Sequence, residues 1–398
     1  MEKRSIFSEI KLKVEKYERR YPNKPRLVIF RLICWLVGKF KGAQPAIPSH
    51  VDKPKSSNSK EILFKLHGGM GDVIINLNYL NKFIQTFGQT FTVYLTGKNQ
   101  IVSELYGDKF KLLNDFEIEQ NRFVLIIDLV RFPRIIQNFG IEDDQLKHWV
   151  QSCEKFQHQN MKLFQNCPEN DGISNKLAQL LGCNRVKQPD ILNFFSDLQD
   201  SRIELNSKTN SQEVLNRLNL TGKKIVTVNR ACEVSLGQKE STKMWPSQYY
   251  EQLLWLLKRD FPDLIFVQLG TSKAKTVVLK NIDVDLIGKT SLEDIKVLMK
   301  NAFLHIDNEG GLVHLRHFIN RAPSIVFFGP TDPTFYGYSE NLNLQAKQDC
   351  LNCEWVSNDW IQKCIKNGKT CSDCLRGLEV QYVYKQIHLF LEREKIKC

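Results

Sequence analysis

The stretch that decides the fold is residues 61–80, EILFKLHGGMGDVIINLNYL. Residues 61–66 predict a strand, and residues 67–71 form a turn rich in glycine, the residue that best tolerates a positive φ. A helix is expected from Asp72 onward, because apolar residues then recur at the spacing of a buried helix face: Val73, Leu77 and Leu80. The chain is therefore predicted to pass from a buried strand through a glycine turn into a helix.

This turn is a candidate substrate site. Glycines such as Gly69 and Gly71 let a substrate approach the backbone closely, and the free N–H groups lie at the positive end of the helix dipole. Asp72 places one carboxylate at that position. The alternative is that Asp72 merely caps the helix, and this stretch alone supports both interpretations equally.

Composition indicates an ordinary soluble protein with an ample core. The chain has 398 residues, 42% of them hydrophobic and 25% charged, which predicts two domains with additional segments. The net charge of +12 is unevenly placed, because residues 1–41 hold twelve Lys/Arg against four Glu. That distribution argues against a nucleic-acid groove across the fold and predicts a local basic arm.

The basic arm contains the most apolar run of the chain, residues 27–37, which Arg31 interrupts. The run is too short to span a bilayer, which takes about 20 apolar residues, and it does not resemble a signal peptide. Residues 9–41 are predicted to form basic helices that pack on the body or on a partner subunit, or that contact a membrane surface. The oligomeric state stays open.

Two successive α/β units follow the arm. Residues 1–60 are predicted as arm and linker, 61–205 as a first Rossmann-like domain and 206–345 as a second. Residues 346–376 are predicted as a cysteine finger and 377–398 as a C-terminal helix. The fold class is therefore α/β, with two Rossmann-like domains facing a cleft, where ligands of open α/β sheets bind.

Three further motifs lie at predicted strand ends or helix starts. Lys243 precedes a helix, a position that suits a phosphate, although a solvated lysine beside an anchoring tryptophan is the alternative. Gly310 and Gly311 separate a strand from a helix and free backbone N–H groups for an anion. His314 falls one turn into that helix, within reach of the same ligand. Residues 328–333, FGPTDP, form another strand-end turn on the same rim.

The ordered set of motifs resembles glycosyltransferase family 9, the ADP-heptose:lipopolysaccharide heptosyltransferase family, which has the GT-B fold. The matching elements, over about residues 61–335, are GGMGDVI at 68–74, KMWP at 243–246, GKTSLED at 288–294, NEGGLVHL at 308–315 and FGPTDP at 328–333. This chain departs from the family pattern D-[ST]-G-x-x-H, because Glu309 replaces the aspartate and Gly310 the hydroxyl residue. The donor sugar and nucleotide therefore stay open.

The resemblance implies roles for the candidate residues. The acceptor would bind the first domain beside Gly69 and Gly71, and Asp72 would be the general base on its hydroxyl. The donor, an ADP-heptose-like nucleotide-sugar, would bind the second domain through six residues: Lys243, Gly288, Glu309, Gly310, Gly311 and His314. Transfer would be a single inverting displacement without a catalytic metal. The D-x-D sequence at 283–285 is interpreted as coincidental.

Five clustered cysteines form a separate signal: Cys350, Cys353, Cys364, Cys371 and Cys374. Their two C-x-x-C pairs have the spacing of a structural tetrathiolate site for zinc or iron, with four of the five as ligands. Disulfides are the alternative for a secreted protein. A cysteine finger at this place also resembles the family subgroup that heptosylates autotransporter proteins and carries iron there.

The favoured prediction is an inverting glycosyltransferase that moves a sugar, heptose first, to a lipopolysaccharide-core or glycan hydroxyl. It would work in the cytoplasm, at the inner membrane surface if the arm binds there. The alternatives are a protein (autotransporter) O-heptosyltransferase and a non-catalytic sugar-nucleotide-binding scaffold. A nicotinamide oxidoreductase is disfavoured, because the turn is G-G-x-G-D rather than G-x-G-x-x-G.

Overall fold

The computed structural model describes residues 59–160, 171–195, 202–205, 209–231, 240–271, 277–357 and 359–395. Residues 54–233 and 239–398 belong to one compact unit. The predicted basic arm, with its expected membrane or subunit contact at residues 9–41, lies outside the described residues. Within the described ranges, no helix is both long enough and apolar enough to cross a membrane.

The first lobe is built on a five-stranded sheet in the order β3-β2-β1-β4-β5. Its strands are β1 (Glu61–Leu66), β2 (Thr92–Thr96), β3 (Lys111–Leu112), β4 (Leu125–Leu129) and β5 (Pro133–Asn138). Its helices are α1 (Met70–Phe87), α2 (Asn99–Tyr106), α3 (Asp144–Gln159) and α4 (Asp171–Leu180).

The strand β1 is the centre of this sheet. It pairs in parallel with β2 on one side and β4 on the other, and four of its six residues are fully buried. Its carboxyl end therefore lies at the edge where ligands of such sheets bind. The antiparallel strand β5 was not predicted, because Pro133 at its start indicates a loop, whereas proline is tolerated at the first position of an edge strand.

The second lobe is built on a six-stranded parallel sheet in the order β11-β10-β9-β6-β7-β8. Its strands are β6 (Lys224–Asn229), β7 (Leu264–Leu269), β8 (Val284–Asp285), β9 (Leu304–Asn308), β10 (Ser324–Phe328) and β11 (Leu342–Gln345). The remaining helices are α5 (Ser211–Arg217), α6 (Ser247–Asp260), α7 (Leu292–Asn301), α8 (Gly311–Asn320), α9 (Pro333–Tyr336), α10 (Asp373–Arg376) and α11 (Val380–Lys395).

The two lobes share a continuous core. One cluster of buried apolar side chains extends from β1 and α1 to Leu315 and Phe318 of α8, and α1 packs directly against α8. A second cluster surrounds Trp245 and includes the apolar face of α11, which packs on α6. The prediction of two parallel-dominated α/β sheets is confirmed, and the helices that begin at the two glycine-rich motifs meet.

Candidate active site

The turn between β1 and α1 holds Asp72 in place. This first glycine turn, residues 67–72, has Gly68 at φ +89°, and a side-chain carbon there would collide with the Asp72 carboxylate. The N–H of Gly69 donates to Asp72 Oδ2 at 3.0 Å. Asp72 therefore does stabilise the helix start, as its capping interpretation requires, while its other oxygen stays available for further partners.

Two arginines flank that second oxygen. Arg131, just after β4, and Arg185, after α4, both donate to Asp72 Oδ1, the latter at 2.8 Å. Burial opposes ionisation of Asp72, but the charges of Arg131 and Arg185 outweigh it and hold the pKa of the carboxyl well below its usual range. Asp72 is a carboxylate at any physiological pH.

The second glycine turn, residues 308–311, follows β9 and opens α8. Asn308 fixes this turn to the KMWP motif, because the Asn308 Oδ1 accepts from the backbone N–H of Trp245 at 2.9 Å. Its Nδ2 donates to the Arg230 carbonyl at 2.7 Å. Lys243 is thereby held beside Glu309, with Nζ 2.5 Å from Oε2, and the side chains are only 17% and 8% exposed. A largely buried ion pair, rather than a solvated lysine, occupies the start of this motif.

The two glycine turns touch. A side-chain carbon on Gly71 would come within 2.7 Å of His314 Cδ2, and one on Gly311 within 3.3 Å of the Gly71 nitrogen. Gly310 differs, since its φ of −176° is extended and a side-chain carbon would meet only the Asn308 oxygen, at 3.7 Å. The backbone at Gly310 therefore admits any residue, whereas the close approach of the two turns requires glycine at Gly71.

His314 lies at this contact as a neutral side chain. Its Nδ1 is 2.5 Å from the Tyr338 hydroxyl. Burial lowers the pKa of His314 to about 4, against the opposing charges of Glu309 and Asp72. The imidazole near Asp72 is thus uncharged above that pH and can serve as a hydrogen-bonding group rather than a cation.

Gly288 lies farther along the same edge of the second sheet. It forms the turn between β8 and α7, with φ +67°, and its N–H donates to the Gly270 carbonyl at 2.8 Å. None of the described contacts joins it to Asp72, Lys243 or Glu309. The two aspartates of the D-x-D sequence are paired with lysines, Asp283 with Lys258 and Asp285 with Lys289.

Sequence reasoning missed four residues of this region: Arg131, Arg185, Tyr336 and Glu354. The Tyr336 hydroxyl accepts from Asn175 Nδ2 at 2.7 Å and donates to Glu354 Oε2 at 2.9 Å. Burial raises the pKa of Glu354 to about 7. The arginines lie 59 and 113 positions from Asp72, so no local spacing could have identified them. The only signal for Arg131 was its place after a strand end.

The cysteine segment, residues 350–374, packs against the KMWP motif. The Thr242 N–H donates to the Ile361 carbonyl at 2.9 Å, and the Thr242 hydroxyl donates to the Trp360 carbonyl at 2.6 Å. The Ser372 hydroxyl donates to the Thr242 carbonyl at 2.8 Å. Lys243 therefore follows a residue that the cysteine segment holds from two sides.

The buried thiol of Cys353 has three other cysteines of the cluster as neighbours. Burial raises the pKa of the Cys353 thiol to about 11, and Cys374, Cys350 and Cys364 add to the shift. Cys371 instead has charged neighbours, Arg376 first among them. Within the part of the chain that the structure describes, no three His, Cys, Asp or Glu side chains are arranged as a metal site.

Comparison with known proteins gives a consistent result. The model of glycosyltransferase family 9 (heptosyltransferase) matches residues 192–370. Lipopolysaccharide heptosyltransferase 1 of Campylobacter coli is 27% identical over 314 residues, which cover 69% of this chain and 85% of that protein.

Solved structures share the fold at low identity. A family 9 glycosyltransferase from Veillonella parvula aligns with a TM-score of 0.53 and 15% identity, over 86% of this chain and all of that one. The iron-containing dodecameric glycosyltransferase TibC from enterotoxigenic E. coli aligns with a TM-score of 0.55 and 14% identity, over 89% of this chain and 81% of that one. TibC has also been solved in complex with ADP-D-β-D-heptose.

The fold of two parallel-dominated α/β sheets is shared with these solved glycosyltransferases. Three observations then indicate the same family: the family match, the curated relative, and the ordered motifs from the first glycine turn to residue 333. The chain is therefore similar to glycosyltransferase family 9, by the family model over residues 192–370 and by the curated heptosyltransferase over 69% of its length, and these matches support a glycosyltransferase.

Proposed function

We propose that this enzyme transfers heptose from an ADP-heptose-like donor to a hydroxyl of a lipopolysaccharide core or related glycan, with inversion at the anomeric carbon. The acceptor binds the first lobe, residues 61–205, beside Gly69 and Gly71. The donor binds the second lobe, residues 206–345. The single observation that supports this proposal is the contact between the two glycine turns, because it unites a carboxylate with a lysine and a helix N-terminus.

Asp72 acts as the general base. The acceptor hydroxyl attacks the anomeric carbon, the bond to the donor phosphate breaks, and the hydroxyl proton passes to Asp72 as the new C–O bond forms. A carboxylate with a lowered pKa is a weak base toward a free hydroxyl. Proton transfer becomes favourable late in the reaction, when the attacking oxygen has acquired positive charge. Arg131 and Arg185 keep Asp72 ionised and oriented until then.

The leaving nucleoside diphosphate is stabilised at the second glycine turn. Five residues surround this place: Lys243, Glu309, Gly310, Gly311 and His314. Gly288 lies farther along the same edge of the sheet. The ammonium of Lys243 and the N–H groups at the start of α8 oppose the charge that develops on the departing phosphate. Neutral His314 can donate or accept a hydrogen bond there without adding charge. This displacement requires no catalytic metal.

The proposed donor can be tested by thermal shift with ADP-, GDP-, UDP- and CMP-sugars, because a ligand stabilises the folded state in proportion to its binding. ADP-heptose is expected to raise the melting temperature most. Mass spectrometry of the reaction with lipopolysaccharide core acceptors should then detect a product heavier by one heptose. If only another nucleotide-sugar stabilised the protein, that compound would be the donor instead of ADP-heptose. If no sugar were transferred to any acceptor, the proposed function would be wrong.

The cysteine segment is proposed to hold a structural zinc or iron ion. Thiolates are the preferred ligands of both metals, and the four thiols of this proposed site are Cys353 and its neighbours Cys350, Cys364 and Cys374. Once bound, the metal would fold the segment and so fix the backbone before Lys243. Cys350→Ser is expected to lower the metal content measured by elemental analysis, whereas Cys371→Ser is expected to retain it. Equal loss in both variants would contradict this ligand set.

A protein acceptor is the second candidate. The cysteine segment and the fold shared with iron-containing TibC favour it. Incubation with ADP-heptose and either a lipopolysaccharide core or an autotransporter fragment separates the two, since only the true acceptor gains the mass of heptose. Both acceptors would be met in the cytoplasm, with the basic arm as a membrane or subunit contact. Deletion of residues 1–53 followed by vesicle flotation and sedimentation tests the arm.

A further inference from the structure

Glu354 is a buried carboxyl that the mechanism above does not use. It is only 1% exposed, although it lies in the cysteine segment rather than in either sheet. Its backbone N–H donates to the Pro330 carbonyl at 3.0 Å, which fixes it to the turn after β10. Its Oε2 accepts from the Tyr336 hydroxyl, while its Oε1 has no hydrogen-bond partner among the described residues.

The unpartnered Oε1 of Glu354 indicates that a ligand binds there. Leaving a buried acceptor unsatisfied costs free energy, and a carboxylate oxygen costs more than a neutral one. Thr331, next to Pro330, likewise has a buried hydroxyl without a partner among the described residues. A donor group from outside the chain would satisfy Glu354 Oε1.

Glu354 is linked to the Asp72 half of the candidate site through Tyr336, because the carbonyl of the adjacent Phe335 accepts from the Arg185 backbone N–H at 2.8 Å. The cysteine segment that carries Glu354 also holds Thr242, the residue before Lys243, which links Glu354 to the second glycine turn as well. The charges of Arg131 and Arg185, the two residues that hold Asp72, act on Tyr336, the hydrogen-bond partner of Glu354. Under the proposed function the donor sugar lies between these two halves, because its anomeric carbon is bonded to the phosphate and attacked by the hydroxyl that Asp72 deprotonates.

We propose that Glu354 binds a hydroxyl group of the donor sugar through its unpartnered Oε1 and thereby selects the sugar. The proposal rests on the proposed function, since it assumes that a nucleotide-sugar occupies this site. Ionised or protonated, the carboxyl of Glu354 offers the diphosphate no positive charge, so the sugar hydroxyls are the groups of the nucleotide-sugar that it fits. The cysteine segment would then contribute directly to sugar recognition, beyond its support of the KMWP motif.

The test compares binding of ADP and of ADP-heptose to the full-length protein by isothermal titration calorimetry. Glu354→Gln and Glu354→Ala are expected to leave the ADP Kd within about twofold, and Glu354→Ala to raise the ADP-heptose Kd by about tenfold or more, as for loss of a hydrogen bond to a charged group. Asp359→Asn, an exposed carboxyl of the same segment, is the matched control and should change neither Kd.

Deoxygenated donor analogues identify the contact. The analogue that lacks the recognised hydroxyl should bind the natural protein about tenfold more weakly than ADP-heptose but bind Glu354→Ala no more weakly than ADP-heptose does, as in a double-mutant cycle. An equal loss of ADP and ADP-heptose affinity, or an unchanged ADP-heptose Kd, would overturn the proposal. If the natural protein binds ADP but gains nothing from the sugar, the heptose donor itself is wrong and this inference falls with it.

Discussion

The two glycine turns share one architecture and differ in the charge that they hold. Each follows a central parallel strand, opens a helix and carries an acidic residue. In the first turn, Asp72 is paired with two arginines from distant parts of the lobe. In the second turn, Glu309 is paired with Lys243. The first pairing keeps an anion in place, whereas the second keeps a cation in place.

The same strand–turn–helix motif can therefore serve both parts of a transfer reaction, deprotonation of the acceptor and departure of the phosphate. The anionic side suits the acquisition of a proton from the acceptor, and the cationic side suits the leaving phosphate. If the comparison is correct, substitutions in the two turns should affect different steps.

The largest effect is expected for Asp72→Asn. Loss of the base should reduce the rate of transfer by about 10²–10⁴-fold, while the amide preserves the size of the side chain. The measurement is turnover with ADP-heptose, together with the ADP Kd, which should stay close to that of the natural protein. Transfer at the natural rate would remove Asp72 from the reaction and end the comparison.

Lys243→Gln should impair departure of the phosphate. The leaving phosphate would lose its cation, at a cost of about 10²–10³-fold in kcat, and ADP binding should weaken as well, unlike in Asp72→Asn. Lys258→Gln removes a lysine that pairs with Asp283 on the exterior of the same lobe and is the matched control. Equal kinetics in the two lysine variants would show that Lys243 is only structural.

The glycine contact gives a third, smaller effect. Gly71→Ala places a methyl group within 2.7 Å of the His314 ring, so we expect a loss of about tenfold or more in kcat/KM, as for small misplacements of reacting groups. Gly310→Ala meets no atom closer than 3.7 Å and should stay near the natural rate. Comparable activity of both variants would mean that the two turns separate before substrates react.

The smallest effect is a displaced pH profile. Arg131 and Arg185 hold the pKa of Asp72 below its usual range, so Asp72 should not limit the acid side of kcat/KM in the natural protein. In Arg185→Gln the pKa of Asp72 rises, and the acid limb should move to higher pH. Stability follows the same sign, since the contribution of ionised Asp72 is lost as pH falls through its folded pKa.

Arg122→Gln provides the control for that profile, because Arg122 pairs with Glu61 at the opposite end of β1. Its kcat/KM should keep the natural dependence on pH between about pH 4 and 8, the range around the ordinary carboxyl pKa. An unshifted acid limb in Arg185→Gln would show that another group controls the ionisation of the base.

The central strands and the two helix starts could be predicted from the sequence, because buried apolar runs and glycine turns are local signals. The helix predicted to follow Gly310 and Gly311 is α8, Gly311–Asn320. The short edge strands β3, β8 and β11 were not predicted, since two to four residues with little burial carry no periodicity.

The charged partners of the candidate site could not be predicted for a different reason. Arg185 reaches Asp72 only because the chain between them folds into β2–β5 and three helices. Glu354 was overlooked because its neighbours in sequence are cysteines, which dominated the interpretation of that segment. Long-range pairing is a property of the packed lobes and leaves no spacing in the sequence.

The backbone contact between Gly71 and Gly311 has a consequence for the competing reaction. Water can attack a nucleotide-sugar as readily as an acceptor hydroxyl can, and the enzyme gains nothing from that hydrolysis. If the proposed function is correct, the close approach of these two glycines would exclude solvent beside the reacting carbon. Substrates would then have to reach the reacting carbon from the side of the contact that stays open to solvent.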